Sequence, residues 1–340
     1  MRGRILVVLI FLVCLPGIIS CKRDRYSVNI SSADADIQIK RLENDLFGPD
    51  PSSIKDSLPQ LNEEYKGFLQ YFSYVINTGE INDTAFGDYL VGFCTDRLNT
   101  EVYSAVVKTF PDVSFIEAGL EKAFRHYVWH FPDNPVPAVF TCITGFNRSI
   151  ITADSVLGIS LDRYLGSDCE YYPRLEIYEY LAARMNPWNV VPDCMYAWGT
   201  KLWSIEDMNY PALNLLSEMI HEGKLRYFEK CMIPDINDTL LFGFTSDQMK
   251  FCRNNEDQMW MYLIEHDLLF STDKFIIRKL TGEAPFTSYF TNESPGKAAV
   301  WIGFRIIESY MERNRNISLG DMMKDTDVQN ILDRARYNPR

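Results

Sequence analysis

One convincing β-strand pattern occurs in the chain, Val136-Pro137-Ala138-Val139-Phe140-Thr141-Cys142-Ile143-Thr144. This stretch indicates that the otherwise helical chain contains a β-sheet. β-Branched and aromatic residues dominate it, and Gly145-Phe146-Asn147-Arg148 then supplies turn residues. Ile150-Ile151 and Val156-Leu157-Gly158-Ile159-Ser160-Leu161 predict one or two further strands. Far upstream, 36–42 largely alternates between apolar and polar residues and predicts a first strand. The sheet is therefore expected to be small.

Helical spacing of apolar residues governs the rest of the chain. Upstream of the strands, apolar residues at 61–72, 102–110 and 115–131 recur with a helical period, and prolines end the last of these segments. Downstream, helices are predicted at about 171–185, 189–203, 209–231, 246–266 and 296–312. The pattern predicts an α+β fold that is predominantly helical with a small β-sheet.

The N-terminus has the features of an export signal. Met1–Arg4 holds two arginines, and the apolar run Ile5–Leu15 is too short to span a membrane. Ile18-Ile19-Ser20-Cys21 resembles the bacterial lipobox, in which a small residue precedes the cysteine whose sulfur is acylated. Acyl chains on Cys21 would anchor the protein in a membrane without spanning it. The predicted organisation is a signal peptide at 1–20, a flexible tether at 21–35 and one domain at 36–340.

Composition and charge exclude several classes of protein. The 340 residues are 46% hydrophobic and 24% charged, as in an ordinary globular chain. The net charge is −12, and removal of residues 1–20 leaves 32 basic against 46 acidic residues, or −14. A nucleic-acid partner is therefore not expected.

The cysteines after Cys21 are widely spaced and contain no C-x-x-C pair. Disulfides are permitted in an exported compartment, but spacing does not reveal connectivity. Several of these cysteines lie in apolar patterns, so buried thiols are at least as well supported as bridges. The six are Cys94, Cys142, Cys169, Cys194, Cys231 and Cys252.

The pair His221-Glu222 is the most suggestive candidate for site chemistry. A zinc-binding helix needs H-E-x-x-H, because imidazoles at i and i+4 share one face and reach one metal. Position 225 is leucine, so that motif is incomplete. A polar pair on a helix also serves to bond neighbouring helices, and this structural role is the favoured alternative to a vestigial site.

His126 and His130 form a second candidate, since their i, i+4 spacing suits a shared metal ion. Tyr127 occupies the position of the catalytic glutamate, and aromatic neighbours surround the pair. Packing or surface exposure is therefore favoured over a metal site. No bound metal and no cofactor are predicted from the sequence.

Over most of its length the chain is similar to the gliding-motility lipoprotein GldB family of the Bacteroidetes. Eight segments carry the resemblance, and together with the lipobox they are specific. They are Ile39–Phe47, Ala153–Gly166, Val190–Asp193, Met219–Phe228, Gly243–Met249, Asn255–Trp260, Leu269–Asp273 and Asn292–Gly303.

The resemblance implies an envelope lipoprotein associated with gliding and with the secretion apparatus of this phylum. The layout also looks like a degenerate gluzincin-type metallopeptidase, with a suspected zincin-like architecture. In such enzymes a helix after the strands carries the histidines, and a later helix with a Glu-Gly-x-x-x-Tyr-Phe pattern supplies the third zinc ligand. The segment Glu222–Phe228 resembles that later helix. The histidine helix would lie near Pro192–Ala197, which contains no histidine. Catalysis is therefore disfavoured.

The favoured interpretation is a non-enzymatic binding or scaffold component that contacts other envelope proteins. Lys22-Arg23-Asp24-Arg25 is basic, unlike the acidic stretch after the cysteine that directs some lipoproteins of this phylum to the cell surface. We therefore expect the domain to face the periplasm. Two alternatives remain: a divergent zinc metallohydrolase that uses Glu222, His221 and an unforeseen ligand, and a ligand-binding lipoprotein suggested by the aromatic content.

Overall fold

A small mixed sheet lies between two groups of helices in residues 25–339, the part of the chain that the computed structural model describes. Its strands are β1 (Ile39–Arg41), β2 (Ala138–Cys142), β3 (Ile150–Ala153) and β4 (Val156–Ser160), in the order β1-β2-β4-β3. β2 is parallel to β1 and β4, whereas β3 is antiparallel to β4. The predicted fold class, a mainly helical α+β protein with a small sheet, is confirmed.

The two faces of the sheet pack against different hydrophobic clusters, because adjacent residues of a strand point to opposite sides. Phe140 and Ile151 belong to the smaller cluster, where the ring of Phe140 stacks on Phe68 at 4.8 Å between centroids. Val139 and Ile159 belong to the larger cluster, which the downstream helices complete. The sheet thus separates an N-terminal helical layer from the larger helical body.

The α-helices of the described chain form two series along the sequence, one between β1 and β2 and one after β4. The helices before β2 are α1 (Leu42–Phe47), α2 (Ile54–Glu64), α3 (Phe68–Val75), α4 (Phe86–Thr95), α5 (Arg97–Thr109) and α6 (Ser114–His130). Those after β4 are α7 (Tyr171–Arg174), α8 (Glu179–Ala182), α9 (Val190–Leu202), α10 (Leu215–Met232), α11 (Asp238–Phe242), α12 (Ser246–Asn254), α13 (Glu256–Glu265), α14 (Lys274–Thr281), α15 (Ala298–Arg313), α16 (Leu319–Lys324) and α17 (Val328–Ala335).

The helix predictions agree best where one apolar face continues without interruption. α6, α9 and α15 confirm the helices predicted at 115–131, 189–203 and 296–312. The predicted first strand is shorter than expected, because α1 begins at Leu42 directly after β1.

Three other predictions had the wrong boundaries for local reasons. The helix predicted at 171–185 is two short helices, because Glu176 adopts a left-handed φ of 56° between them. The helix predicted at 209–231 begins only at Leu215, after Asn214 and Ser217 form a reciprocal capping box. The helix predicted at 246–266 is divided at Asn255 into α12 and α13.

The start of the described chain is packed against the helical body. Tyr26 is 9% exposed, and its hydroxyl donates to a carboxylate oxygen of Glu308. The Arg125 guanidinium donates to the carbonyl oxygens of Ile30 and Ala33 at 3.0 Å each. From Arg25 onward, the stretch predicted as a flexible tether therefore makes the contacts of a docked segment.

Helices α10 and α15 cross with their backbones in contact. Gly223 of α10 lies against the backbone of Gly303 in α15, and Gly303 in turn faces the carbonyl of Met219. A Cβ atom at either glycine would overlap backbone atoms of the other helix. This crossing fixes the rotation of α10 about its axis, and with it the direction of the residues on its other faces.

The cysteines of the described chain act mainly as small apolar residues. Cys94, Cys142, Cys169, Cys194 and Cys252 are free thiols, and all but Cys169 are buried. Burial raises the pKa of the Cys94 and Cys252 thiols to about 12, so these two remain protonated at neutral pH. For these five cysteines, the structure favours the thiol interpretation over the disulfide interpretation.

Candidate functional site

A polar cleft of about 390 Å³ opens between α9, α10 and the start of α15. The 3-10 turn Leu161–Tyr164 after β4, Ser149 directly before β3, and the segments at the ends of α8 and α14 complete its walls. Seven charged residues line it: Arg163, Arg184, Asp193, Glu222, Arg226, Glu283 and Lys297. Such a concentration of ionisable groups in one concavity is typical of a functional site.

Helix α9 contributes an acceptor and a phenol to the cleft. Asp193, in its first turn, accepts a hydrogen bond from the Tyr164 hydroxyl at 3.0 Å and from Nη2 of Arg184 at 3.1 Å. Tyr196, three residues later on the same face, donates its hydroxyl proton to Oε2 of Glu222 at 2.8 Å. The Tyr196–Glu222 bond therefore joins the two helices across the cleft.

Helix α10 contributes Glu222 and, one turn later, Arg226. The Arg226 guanidinium lies 3.9 Å from the centre of the Tyr196 ring and is 3% exposed. Its Nη1 donates to Oε2 of Glu229 at 2.8 Å and to the carbonyl oxygen of Leu241 at 3.0 Å. Its Nε is buried and has no hydrogen-bond partner among the described residues. One donor of a charged group in the cleft wall is thus unsatisfied.

Two further cations converge on Glu283, which is half-exposed at the mouth. Lys297, directly before α15, donates to the Glu283 carboxylate, and Arg184 lies 3.6 Å from the same group. Burial, and then the charge of Arg184, lowers the pKa of Lys297 to about 8, although Glu283 opposes the change. Behind the cleft wall, burial raises the pKa of Glu229 to about 7 despite its pairing with Arg226.

The two residues of the predicted vestigial site diverge in the structure. Glu222 lines the cleft, whereas His221 is buried beside Tyr210, whose hydroxyl oxygen lies 3.1 Å from its Nδ1. Burial, and then the charge of Lys224, lowers the pKa of His221 to about 4. Glu222 is therefore part of the cleft, whereas His221 contributes to the packing of α10 against the segment that contains Tyr210. Cys21, the predicted lipidation residue, lies outside the described residues.

His126 and His130 lie on α6, away from the cleft lining. His126 Nδ1 and His130 Nε2 are buried without a hydrogen-bond partner in the described chain. Burial, and then the charge of the other histidine, lowers the pKa of His130 to about 4. No group of three or more His, Cys, Asp or Glu residues suited to a metal ion occurs within residues 25–339.

The zinc chemistry suggested by the gluzincin resemblance does not fit this cleft. α9 and α10 do face each other, but Asp193 is bound by Arg184, and Glu222 accepts from Tyr196. Arg226 covers the face of the Tyr196 ring. A catalytic zinc requires three converging protein ligands, whereas guanidinium groups share this space with single carboxylates. The zincin-like architecture stays a prediction.

Most of the cleft cations were missed by reasoning from single motifs, because an isolated arginine carries no spacing signal. Four of the eight segments that carried the family resemblance nevertheless meet here. Ala153–Gly166 supplies Arg163, Val190–Asp193 supplies Asp193, Met219–Phe228 supplies Glu222 and Arg226, and Asn292–Gly303 supplies Lys297. The convergence of those segments in space is the signal that could have located the site.

The fold and site define a helix-rich α+β protein with a charged cleft. Within residues 25–339, no helix has the length and hydrophobicity needed to cross a membrane. The family model for the gliding motility protein GldB matches residues 23–339. The chain therefore belongs to the GldB family, which associates it with gliding motility and the cell envelope. No curated protein and no solved structure matches it significantly.

Proposed function

We propose that this protein is a lipid-anchored envelope component that binds another envelope protein of the gliding or secretion apparatus through its charged cleft. Its role is that of a binding or scaffold protein, not of an enzyme. Family membership supports the association with gliding, and the sequence around Cys21 supports the anchor.

The single observation that carries the binding role is the way the cleft carboxylates are used. Each accepts from a side chain of the protein: Asp193 from Arg184, Glu222 from Tyr196, and Glu283 from Lys297. Donors of the protein therefore hold all three carboxylates in fixed positions, and side chains held in this way preorganise a recognition surface.

In this proposal the domain faces the periplasm. The basic residues directly after Cys21 support this side of the membrane. The segment from Arg25 onward is docked, so about three residues lie between a lipidated Cys21 and the helical body. Because each extended residue spans at most about 3.6 Å, the lipid anchor would hold the domain that contains the cleft close to the membrane surface.

Site-specific photocrosslinking in intact envelopes tests the proposal. A photoreactive amino acid replaces Thr281, which lines the cleft, or Asn62, which is exposed on α2 across the sheet. We expect one defined protein adduct from position 281 that position 62 does not give. Identical adduct patterns from the two positions, or no protein adduct from position 281, would contradict the proposal.

The lipid anchor has its own test, which does not depend on the cleft. Cys21→Ala should move the protein from the membrane fraction to the soluble fraction of disrupted cells. Unchanged membrane association of this variant would show that another feature holds the protein there.

A further inference from the structure

The charge balance inside the cleft is opposite to that of the whole chain. Four cations line the cleft, Arg163, Arg184, Arg226 and Lys297, against three carboxylates. The chain as a whole carries −12. Buried Glu229 forms an ion pair with Arg226 behind the cleft wall and does not line the cleft. A local excess of positive charge in an acidic protein attracts negatively charged ligands.

Arg163 is the lining cation that forms no salt bridge with the described residues, although its charge acts on the buried carboxyl of the neighbouring Asp162 and opposes the rise that burial causes in the pKa of that group. Its Nε donates to the Ser149 hydroxyl at 3.2 Å, and its Nη1 donates to the Phe146 carbonyl oxygen at 3.3 Å. Among the described residues it forms no salt bridge, unlike Arg184, Arg226 and Lys297. The two neutral partners hold the guanidinium in place at the cleft wall while its charge remains available.

The other cations are crowded in a way that an added anion would relieve. Arg184 and Arg226 both lower the pKa of Lys297, so three positive charges are close enough to repel one another around Glu283. Arg226 also has the buried, unpartnered Nε described above. Guanidinium groups bind planar carboxylates through paired hydrogen bonds, which makes a carboxylate the group that best completes this arrangement.

The mouth of the cleft indicates what such a carboxylate is attached to. Leu181 lines the cleft, and the preceding Tyr180 stacks on Tyr178 with 5.7 Å between ring centroids and 13° between planes. Tyr178 is 67% exposed. Burial, and then the charge of Glu283, raises the pKa of Tyr180, which puts this aromatic pair beside the charged residues. Exposed aromatic rings beside a cationic cleft suit a peptide better than a free inorganic anion.

We propose that the cleft binds a carboxylate of an acidic peptide segment, with Arg163 as its principal cation and the stacked Tyr178 and Tyr180 as the contact surface for the neighbouring peptide residues. This inference rests on the proposed function and specifies the chemistry of the partner. The partner would present glutamate, aspartate or a C-terminal carboxylate within an accessible strand of chain.

The test measures binding of fluorescein-labelled triglutamate to the purified full chain by fluorescence anisotropy. We expect saturable binding that weakens with added salt and that unlabelled triglutamate, but not trilysine, reverses. Arg163→Gln should weaken the affinity about tenfold or more, since one charge-assisted pair contributes about 1.4 kcal/mol or more. Arg97→Gln, which removes a 92% exposed arginine from α5, is the matched control and should bind like the wild type.

A second readout keeps the inference testable if Arg163→Gln perturbs the fold. The lysines are labelled by reductive ¹³C-methylation, and the Lys297 signal is titrated by NMR with and without triglutamate. A bound carboxylate favours the charged amine, so the pKa of Lys297 should rise from about 8. An unchanged Lys297 titration at saturating triglutamate would overturn the assignment.

Three other results would also overturn it: no saturable binding, equal binding by Arg163→Gln and wild type, or tighter binding of inorganic phosphate than of triglutamate. The outcome is separable from that of the proposed function. A position-281 adduct without triglutamate binding would leave the envelope partner in place and remove the acidic peptide. Triglutamate binding without any adduct would support the acidic-peptide site and remove the envelope partner.

Discussion

Two faces of helix α10, about 100° apart around the helix axis, make different kinds of contact. Met219 and Gly223 lie one turn apart on the face that crosses α15, where backbone meets backbone at Gly303. Glu222 and Arg226 lie one turn apart on the face that opens to the cleft, where Glu222 accepts from the Tyr196 hydroxyl and Arg226 lies over the Tyr196 ring. The crossing face holds the fold together, and the cleft face is held in position by it.

The contrast between the two faces of α10 shows which of them is available for function. Close packing at the crossing face supplies dispersion and apolar burial, and it tolerates no added atoms. Buried and half-buried ion pairs at the cleft face add little net stability, because desolvation offsets much of their attraction. Glu222 and Arg226 occupy positions on this face where apolar side chains would pack, which is expected when the charged groups serve recognition.

Gly303→Val should have the largest effect, because it attacks the crossing face directly. The side chain would overlap the Met219 carbonyl and force α10 and α15 apart, lowering the free energy of unfolding by about 3 kcal/mol or more. Urea denaturation followed by circular dichroism measures the loss. Gly92→Ala in α4, where a Cβ meets no neighbour within 4 Å, is the control and should stabilise by about 0.5–1 kcal/mol. Equal stability of Gly303→Val and wild type would refute the close crossing.

Arg226→Met should come next, since it leaves Glu229 buried without its cation. We expect a loss of about 3 kcal/mol at neutral pH, measured by urea denaturation. Adding Glu229→Leu should restore most of that stability, because an apolar pair replaces a buried ion pair at little net cost. If the double variant is as unstable as the sum of the two single variants, the pair acts through packing and not through charge.

A smaller effect is expected from His221→Gln, and it should appear only as a change in pH dependence. The folded-state pKa of His221 is about 4, below the ordinary value of 6.5. The unfolded chain therefore takes up a proton first on acidification, and this histidine contributes stability that is lost as pH falls from about 6.5 to about 4. Thermal denaturation across this range should give a shallower decline for His221→Gln than for wild type. An identical slope for His221→Gln and wild type would contradict the burial argument.

Glu222→Gln should have the smallest effect on stability, less than about 1 kcal/mol, because the amide oxygen can still accept from the Tyr196 hydroxyl. Differential scanning calorimetry measures it. A loss comparable to that of Gly303→Val would mean that the cleft face carries the fold as well, and the contrast between the two faces would fail.

The sequence predicts the fold class and the long helices because these depend on local patterns. The β-rich stretch at 136–144 and the uninterrupted apolar face of α15 are examples of such patterns, and both appear in the structure. The boundaries that were missed depend on single residues. The left-handed Glu176 and the capping box at Asn214 each change the course of the backbone within one turn.

The site was predictable only in part, because a cleft assembles residues that are distant along the chain. Glu222 was found from its motif, and His221 was found with it, although adjacent helical residues point about 100° apart. Arg163 and Lys297 follow a strand and precede a helix respectively, with nothing local to connect them. Their common location depends on how α10 and α15 cross, which is a property of tertiary packing.

The central claim is that the cleft face of α10 serves recognition while the crossing face serves stability. Its most direct test is the photocrosslinking yield from position 281 in the Glu222→Gln background, compared with the same probe in wild type and in Gly92→Ala. We expect Glu222→Gln to fold normally and to give a several-fold higher yield of the partner adduct, because loss of this negative charge strengthens the attraction of the cleft for an acidic partner, while Gly92→Ala gives the wild-type yield. A wild-type adduct yield from folded Glu222→Gln would contradict the claim.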